Sequence, residues 1–348
     1  MAEAYPTFTP VSLITGFLGS GKTTLLKRLL ESPKLADTAV LINEFGEVGL
    51  DHQLLERIDD AMVLLQSGCL CCTIRGDLAA ALRDLHSKRE RGVIPPFRRV
   101  AIESTGLADP FPILSTLQAD PVLRHHFRVG NVIATVDAVN GAAQLGHHPE
   151  SVRQAAIADR LVVTKTDIAD PAAAGDLIAR LKCLNPAALV LRAAEDDIDP
   201  DDLLLRTAFD MARKTSEARR WLADAAADHD DADHGHDPNR HGNIRAFCLR
   251  FDRPLDWTAF GLWLTMLLNR HGAKVLRVKG ILNVAGEAAP VAIHGVQHLV
   301  HPPIHLRAWP DKDRRSRIVF IVEGLEPRAI ERSLHAVDLA AQAEMLST

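Results

Sequence analysis

An α/β domain with a mostly parallel sheet, followed by a smaller α+β domain, is the fold that this chain of 348 residues predicts. Three observations carry the prediction. Up to about residue 206, short β-branched or apolar runs alternate with segments of helical period, as expected when strands run parallel under helices on both faces. A glycine-rich loop lies between the first such run and the first helical segment. An Asp- and His-rich stretch then interrupts the patterning, which resumes at Ile244. The expected organisation is therefore a first domain over 1–206, an acidic linker over 207–243 and a second domain over 244–348.

Val11–Thr15 is the first expected strand, and Leu25–Leu30 continues the first helix. Between them runs Gly16-Phe17-Leu18-Gly19-Ser20-Gly21-Lys22-Thr23-Thr24, a phosphate-binding loop in the strand–loop–helix setting that this motif requires. Its glycines, with Ser20 and Thr24, allow a tight turn whose N–H groups face a phosphate, and the positive end of the following helix favours the anion. Lys22 supplies a charge to the β- and γ-phosphates, and the Thr23 hydroxyl is placed to ligate Mg²⁺.

Ala39–Asn43 is the second strand, and Asn43-Glu44-Phe45-Gly46-Glu47-Val48-Gly49-Leu50-Asp51 follows it as a loop. Its acidic groups suit contact with Mg²⁺, water or a second metal, and its glycines suit rearrangement. Met62–Leu65 is expected as a strand before Gly68-Cys69-Leu70-Cys71-Cys72. Cys69, Cys71 and Cys72 bring three thiols within four residues, a set that favours Zn²⁺ or Cu(I) and leaves one tetrahedral position open. A redox-active thiol pair is the alternative. Five cysteines, an odd number with three of them crowded together, fit a reducing compartment better than a disulfide framework.

Asp77–Lys88 reads as a helix and Val100–Glu103 as a strand ending in a carboxylate. Glu103, with Gly106 three residues on, fits a Walker-B-to-switch transition in which the carboxylate acts near Mg²⁺ and the glycine N–H senses the γ-phosphate. Phe111–Gln118 (helix), Val132–Val136 and Leu161–Thr164 (strands) come next. Thr164-Lys165-Thr166-Asp167 then places a carboxylate about 140 residues after the phosphate loop, at a strand end. Asp167 there accepts from guanine N1–H and its amine, a donor pair that adenine lacks, while the Lys165 stem packs over the base. Ala172–Leu184 (helix) and Ala188–Leu191 (strand) complete this domain.

The segment Asp224–Asn243, with His229, His234, His236 and His241, has too few apolar residues for a core and suits either loose metal binding or a plain spacer. Beyond it, Ile244–Phe251, Val275–Val284, Val291–His294 and Arg317–Val322 read as strands, and Trp257–Asn269 and Pro327–Ala336 as helices. Cys183, Cys248, Trp257 and Trp263 are expected in cores, and His294, His298, His301 and His305 in loops. A net charge of −5 argues against broad nucleic-acid binding. The chain lacks an apolar run of membrane-spanning length and a signal-peptide pattern, so a cytoplasmic protein is expected.

These five motifs, in this order and spacing, make the sequence resemble the CobW-type P-loop GTPases, which are related to the nickel chaperones UreG and HypB. The resemblance covers nearly the whole chain, and the Glu103–Pro110 segment is closest to the zinc-transfer members. It implies slow hydrolysis of Mg²⁺-bound GTP to GDP, coupled to delivery of zinc, or of cobalt as Co²⁺, to a client protein. By the same analogy Glu47 and Cys71 match metal-linked positions. A further acidic position of that set falls on Ile42 here, so those ligands do not carry over intact. A phosphotransferase, or a metal buffer or redox sensor without turnover, are the other classes open to these residues.

Overall fold

A computed structural model describes residues 8–42, 56–59, 62–64, 70–73, 77–196, 198–200, 203–204, 240–241 and 243–347. Within 56–73, at 240–241 and beyond residue 337 only the backbone is described. The chain forms two compact units, one from residues within 1–177 and 190–208, the other from 178–189 and 209–348.

In the first unit the strands β1 (Thr9–Gly16), β2 (Thr38–Ile42), β3 (Glu56–Asp59), β4 (Met62–Leu64), β5 (Leu70–Thr73), β6 (Arg99–Glu103), β7 (Phe127–Asp137), β8 (Arg160–Thr164) and β9 (Leu189–Arg192) make one sheet. Their order is β3-β4-β5-β2-β6-β1-β7-β8-β9. From β5 to β8 every pairing is parallel, while β3 and β4 add an antiparallel edge. The helices are α1 (Lys22–Leu30), α2 (Leu78–Glu90), α3 (Pro110–Ala119), α4 (Leu123–His126), α5 (Gly141–His147), α6 (Pro149–Ile157) and the first part of α7 (Pro171–Leu184), whose residues from 178 on belong to the second unit. Ile14, Val40, Ala101, Ile133 and Val162, one from each central strand, pack with Leu25, Leu26 and Leu29 of α1. Strands buried on both faces read as continuous apolar runs rather than as an alternation, which is why these segments are legible in the sequence.

In the second unit β11 (Ile244–Phe251), β16 (Ser316–Glu323), β12 (Val275–Leu282) and β13 (Val291–Val296) pair antiparallel in that order. The short strands β10 (Arg240–His241), β14 (Leu299–Val300) and β15 (Ile304–His305) flank them. Helices α8 (Trp257–His271) and α9 (Pro327–Ser347) share a core with Phe247, Val278, Ile318 and Phe320, where Trp263 Nε1 donates to Ser333 Oγ at 2.9 Å.

Several expectations need correction. Leu70–Thr73, read as a segment following a strand, is itself a strand paired with both β2 and β4. The segments α4, α5 and α6 are helical where no helix is expected, β9 begins one residue later than predicted, and α9 runs well past Ala336. Trp263 is in the core, but Trp257, the first residue of α8, is 41% exposed. Cys183 and Cys248 are half-buried, not core residues. His294 lies on β13 and His305 on β15, whereas His298 and His301 are in loops as expected, His301 being buried there.

Candidate functional site

The phosphate loop is built by one constraint after another between β1 and α1. Gly16 has φ +138°, and a side chain there would run into Thr135 of β7. Ser20 N donates to Phe17 O at 3.1 Å, and the Ser20 and Thr135 hydroxyls meet at 2.6 Å. Lys22 is buried, with Nζ donating to the Phe17 carbonyl at 3.2 Å, so its ammonium lies over the loop rather than out in water. The adjacent Thr23 Oγ1 donates to Glu103 Oε1 at 2.5 Å.

Glu103 is fully buried at the end of β6, the strand next to β1. The sequence places these two residues eighty positions apart; the sheet brings their oxygens together. A hydroxyl and a carboxylate side by side beside a phosphate loop are hard oxygen donors of the kind that Mg²⁺ prefers. The residues present thus fit a nucleotide-bound Mg²⁺, with Thr23 as ligand and Glu103 beside it.

After Glu103 the chain makes a turn closed by Ala108 N donating to Thr105 O at 3.2 Å, with Gly106 and Leu107 at its centre. A Cβ on Gly106 would lie 2.7 Å from the backbone nitrogen of Leu18, so glycine is what allows the turn to lie directly against the phosphate loop. Ser104 secures the start of the turn: its N donates to Ile14 O at 2.9 Å and its Oγ to Thr15 Oγ1 at 3.0 Å.

The Thr164-Lys165-Thr166-Asp167 segment is fastened to the same loop. Thr164 Oγ1 donates to the Ser20 carbonyl at 2.8 Å, which gives a physical role to threonine at this position. Lys165 adopts φ +58°, a left-handed conformation that a non-glycine residue holds only when its surroundings impose it. The turn is closed by Ile168 N and Ala169 N donating to Lys165 O, and the Lys165 side chain is anchored at Asp137, buried at the end of β7, whose Oδ2 accepts from Lys165 Nζ at 2.7 Å. Burial pushes the Asp137 carboxyl up, but hydrogen bonds from Lys165, from the Asn140 side chain and from the Val139 and Asn140 amides outweigh it and hold it below the usual carboxylate range. Asp167 projects from the following turn and is exposed.

Glu47 and Cys69 lie outside the described residues, and Cys71 and Cys72 are described by backbone alone. Cys71 is in register with Val40 of β2 and Val63 of β4, and Cys72 with Leu41 and Met62. At the end of the register Thr73 faces Ile42, the last described residue before Asn43–Asp51, and Ile42 also faces Glu103 of β6. The linker histidines other than His241 are likewise outside the described residues, and of His241 only the backbone is described. Burial pushes the Cys248 thiol up, away from thiolate character.

Asp137, Thr135 and Gln154 were not singled out from the sequence. The only local signal was for Asp137, a carboxylate ending an apolar strand, the same pattern that points to Glu103.

The family profile described as CobW/HypB/UreG, nucleotide-binding domain, matches residues 10–192, and the cobalamin synthesis protein cobW C-terminal domain matches residues 244–338. The zinc chaperone YjiA of Escherichia coli is 35% identical over 314 residues, covering 89% of this chain and 93% of that protein. The zinc chaperone CobW of Pseudomonas aeruginosa is 29% identical, covering 93% and 90%. The crystal structure of Zn(II)-bound YjiA GTPase from E. coli superposes with a TM-score of 0.70 at 31% identity, covering 95% of this chain and 99% of that one.

Proposed function

This chain belongs to the CobW/HypB/UreG family, and from that membership we propose that it is a GTPase that captures zinc and delivers it to a client protein, using GTP binding and hydrolysis to time the transfer. The names of its relatives YjiA and CobW, both zinc chaperones, support the metal. Lys22 and the amides of Gly16, Gly19, Ser20, Gly21 and Thr24 hold the phosphates. Thr23 ligates Mg²⁺, which neutralises charge on the β- and γ-phosphates when bound. Glu103 orients the Thr23 hydroxyl and the water around it, Gly106 senses the γ-phosphate, and Thr164, Lys165 and Asp167 take the guanine. Cys69, Cys71 and Cys72 hold the zinc as cargo, with Glu47 as helper.

One observation carries the coupling. Ile42 is in register with Thr73 on one side and with Glu103 on the other, so the strand carrying Cys71 and Cys72 is separated from the nucleotide carboxylate by β2 alone. β2 ends at Ile42, between the two, and Asn43–Asp51 follows it in the sequence. A γ-phosphate engaged by Asn43–Asp51 would alter the metal's surroundings directly.

Co²⁺ titration of the reduced protein tests this reading. One equivalent is expected to give thiolate charge-transfer absorption that is lost in Cys71→Ser and Cys72→Ser, with binding that tightens as pH rises because the thiols must ionise. Mg²⁺ and a non-hydrolysable GTP analogue are expected to tighten it further. Absence of the band removes the cysteines from the mechanism; a band whose affinity ignores GTP removes the coupling.

A further inference from the structure

Helix α6 plays no part in the motifs that mark the nucleotide site, yet it meets that site at two places. His148, the residue that precedes its first turn, stacks its ring on Phe17 of the phosphate loop with centroids 4.5 Å apart. Further along the helix, Gln154 is 1% exposed and its Nε2 donates to two carbonyls of the turn after β6, Gly106 O and Ala108 O, each at 3.1 Å. Arg153, next to it, lies 3.8 Å from Asp109, the residue whose carboxylate caps α3 through Phe111 N.

The orientation of the Gln154 amide follows from chemistry. Two carbonyls call for the –NH₂ end, and the reverse orientation would set oxygen against oxygen. Satisfying both carbonyls leaves Gln154 Oε1 buried without a hydrogen-bond partner among the described residues. An orphaned acceptor is unfavourable, and the side chain tolerates it in order to make both bonds. Those bonds set the planes of the 106–107 and 108–109 peptides. The phosphate loop bounds the same turn on its other side, at Leu18.

We propose that Gln154 is a positioning residue for the γ-phosphate: by holding the carbonyls of Gly106 and Ala108 it presents the Gly106 turn to the triphosphate, and α6 thereby ties that turn to the phosphate loop. The inference rests on the nucleotide-site reading above and extends it to a residue that touches no substrate. Because GDP lacks the γ-phosphate, Gln154 acts on the affinity for GTP and on turnover, but not on the affinity for GDP.

The test uses Gln154→Leu, which keeps the volume and removes the donors, and Gln154→Glu, which keeps the shape and sets oxygen against the carbonyls. Affinities for GDP and for a non-hydrolysable GTP analogue are measured by calorimetry, with kcat alongside. In either folded variant the analogue-to-GDP affinity ratio and kcat are expected to fall about tenfold or more, as for misplacement of a reacting group, with GDP affinity held within about threefold. An unchanged ratio overturns the proposal, as does an equal loss of both nucleotides, which would make Gln154 part of the scaffold alone. If the wild-type chain instead prefers ATP analogues, the guanine reading fails, while the same ratio taken with ATP analogue and ADP still decides Gln154.

Discussion

Asp137 is a residue whose chemistry the motifs do not announce. It is 1% exposed, and its charge survives burial because Lys165 and Asn140 supply donors to it. A carboxylate held below its unfolded value contributes stability that is fully present above that value, 3.8, and is lost as pH falls through the lower folded one. Asp137→Asn removes the charge at every pH. The variant is therefore expected to be less stable than the wild type at pH 7, and the gap is expected to close as the pH falls below 3.8. Urea unfolding of both proteins between neutral and acid pH checks this. A gap independent of pH would mean that the carboxylate's charge contributes nothing to the fold.

At the scale of elements, β8 and its turn act as one rigid arm. Thr164 binds the Ser20 carbonyl, and the peptides after it fold back through Ile168 N and Ala169 N to Lys165 O at 3.3 and 3.2 Å. The turn that carries Asp167 is thus fastened to the phosphate loop. Asp167→Asn is expected to weaken GTP by roughly 1–3 kcal/mol, the worth of a good bidentate base contact, and to weaken xanthosine triphosphate less, since the new amide donor can face the xanthine carbonyl. Competition between the two nucleotides reads the difference, and equal losses would mean that Asp167 does not read the base. Legibility follows the same physics. β1, β2, β6, β7 and β8 are evident in the sequence because buried parallel strands are apolar throughout, and the phosphate loop because its glycines are required by geometry. By contrast β5 is not legible because its four residues, Leu70-Cys71-Cys72-Thr73, suggest metal chemistry before they suggest a strand. Likewise α6 is hard to read because its buried residues mix Ser151 and Gln154 with Val152, Ala155, Ala156 and Ile157, so no clean apolar stripe marks it. Gln154 itself takes its role from carbonyls 48 and 46 positions away, contacts that no local pattern encodes.

For the molecule as a whole, zinc capture and nucleotide state are proposed to share one sheet, and thermodynamics then constrains both. If bound GTP analogue raises zinc affinity by some factor, bound zinc must raise the affinity for the analogue by that same factor, because the two routes to the doubly bound state have one free-energy total. Couplings of this kind run at about 1–3 kcal/mol, or roughly 5- to 150-fold. The path available here is short: β5, β2 and β6 are consecutive in the sheet, and Thr73, Ile42 and Glu103 are in register across it. The expected result is a closed box of four dissociation constants: zinc with and without the analogue, and the analogue with and without zinc, the two ratios agreeing and both exceeding about fivefold. Zinc held by the histidines of 224–243 would add a second population blind to nucleotide, and removal of that segment would bring discordant ratios into agreement. Ratios that stay near one in the shortened chain would mean that the cysteine strand and the phosphate loop act independently, and GTP could not then time the release of the metal.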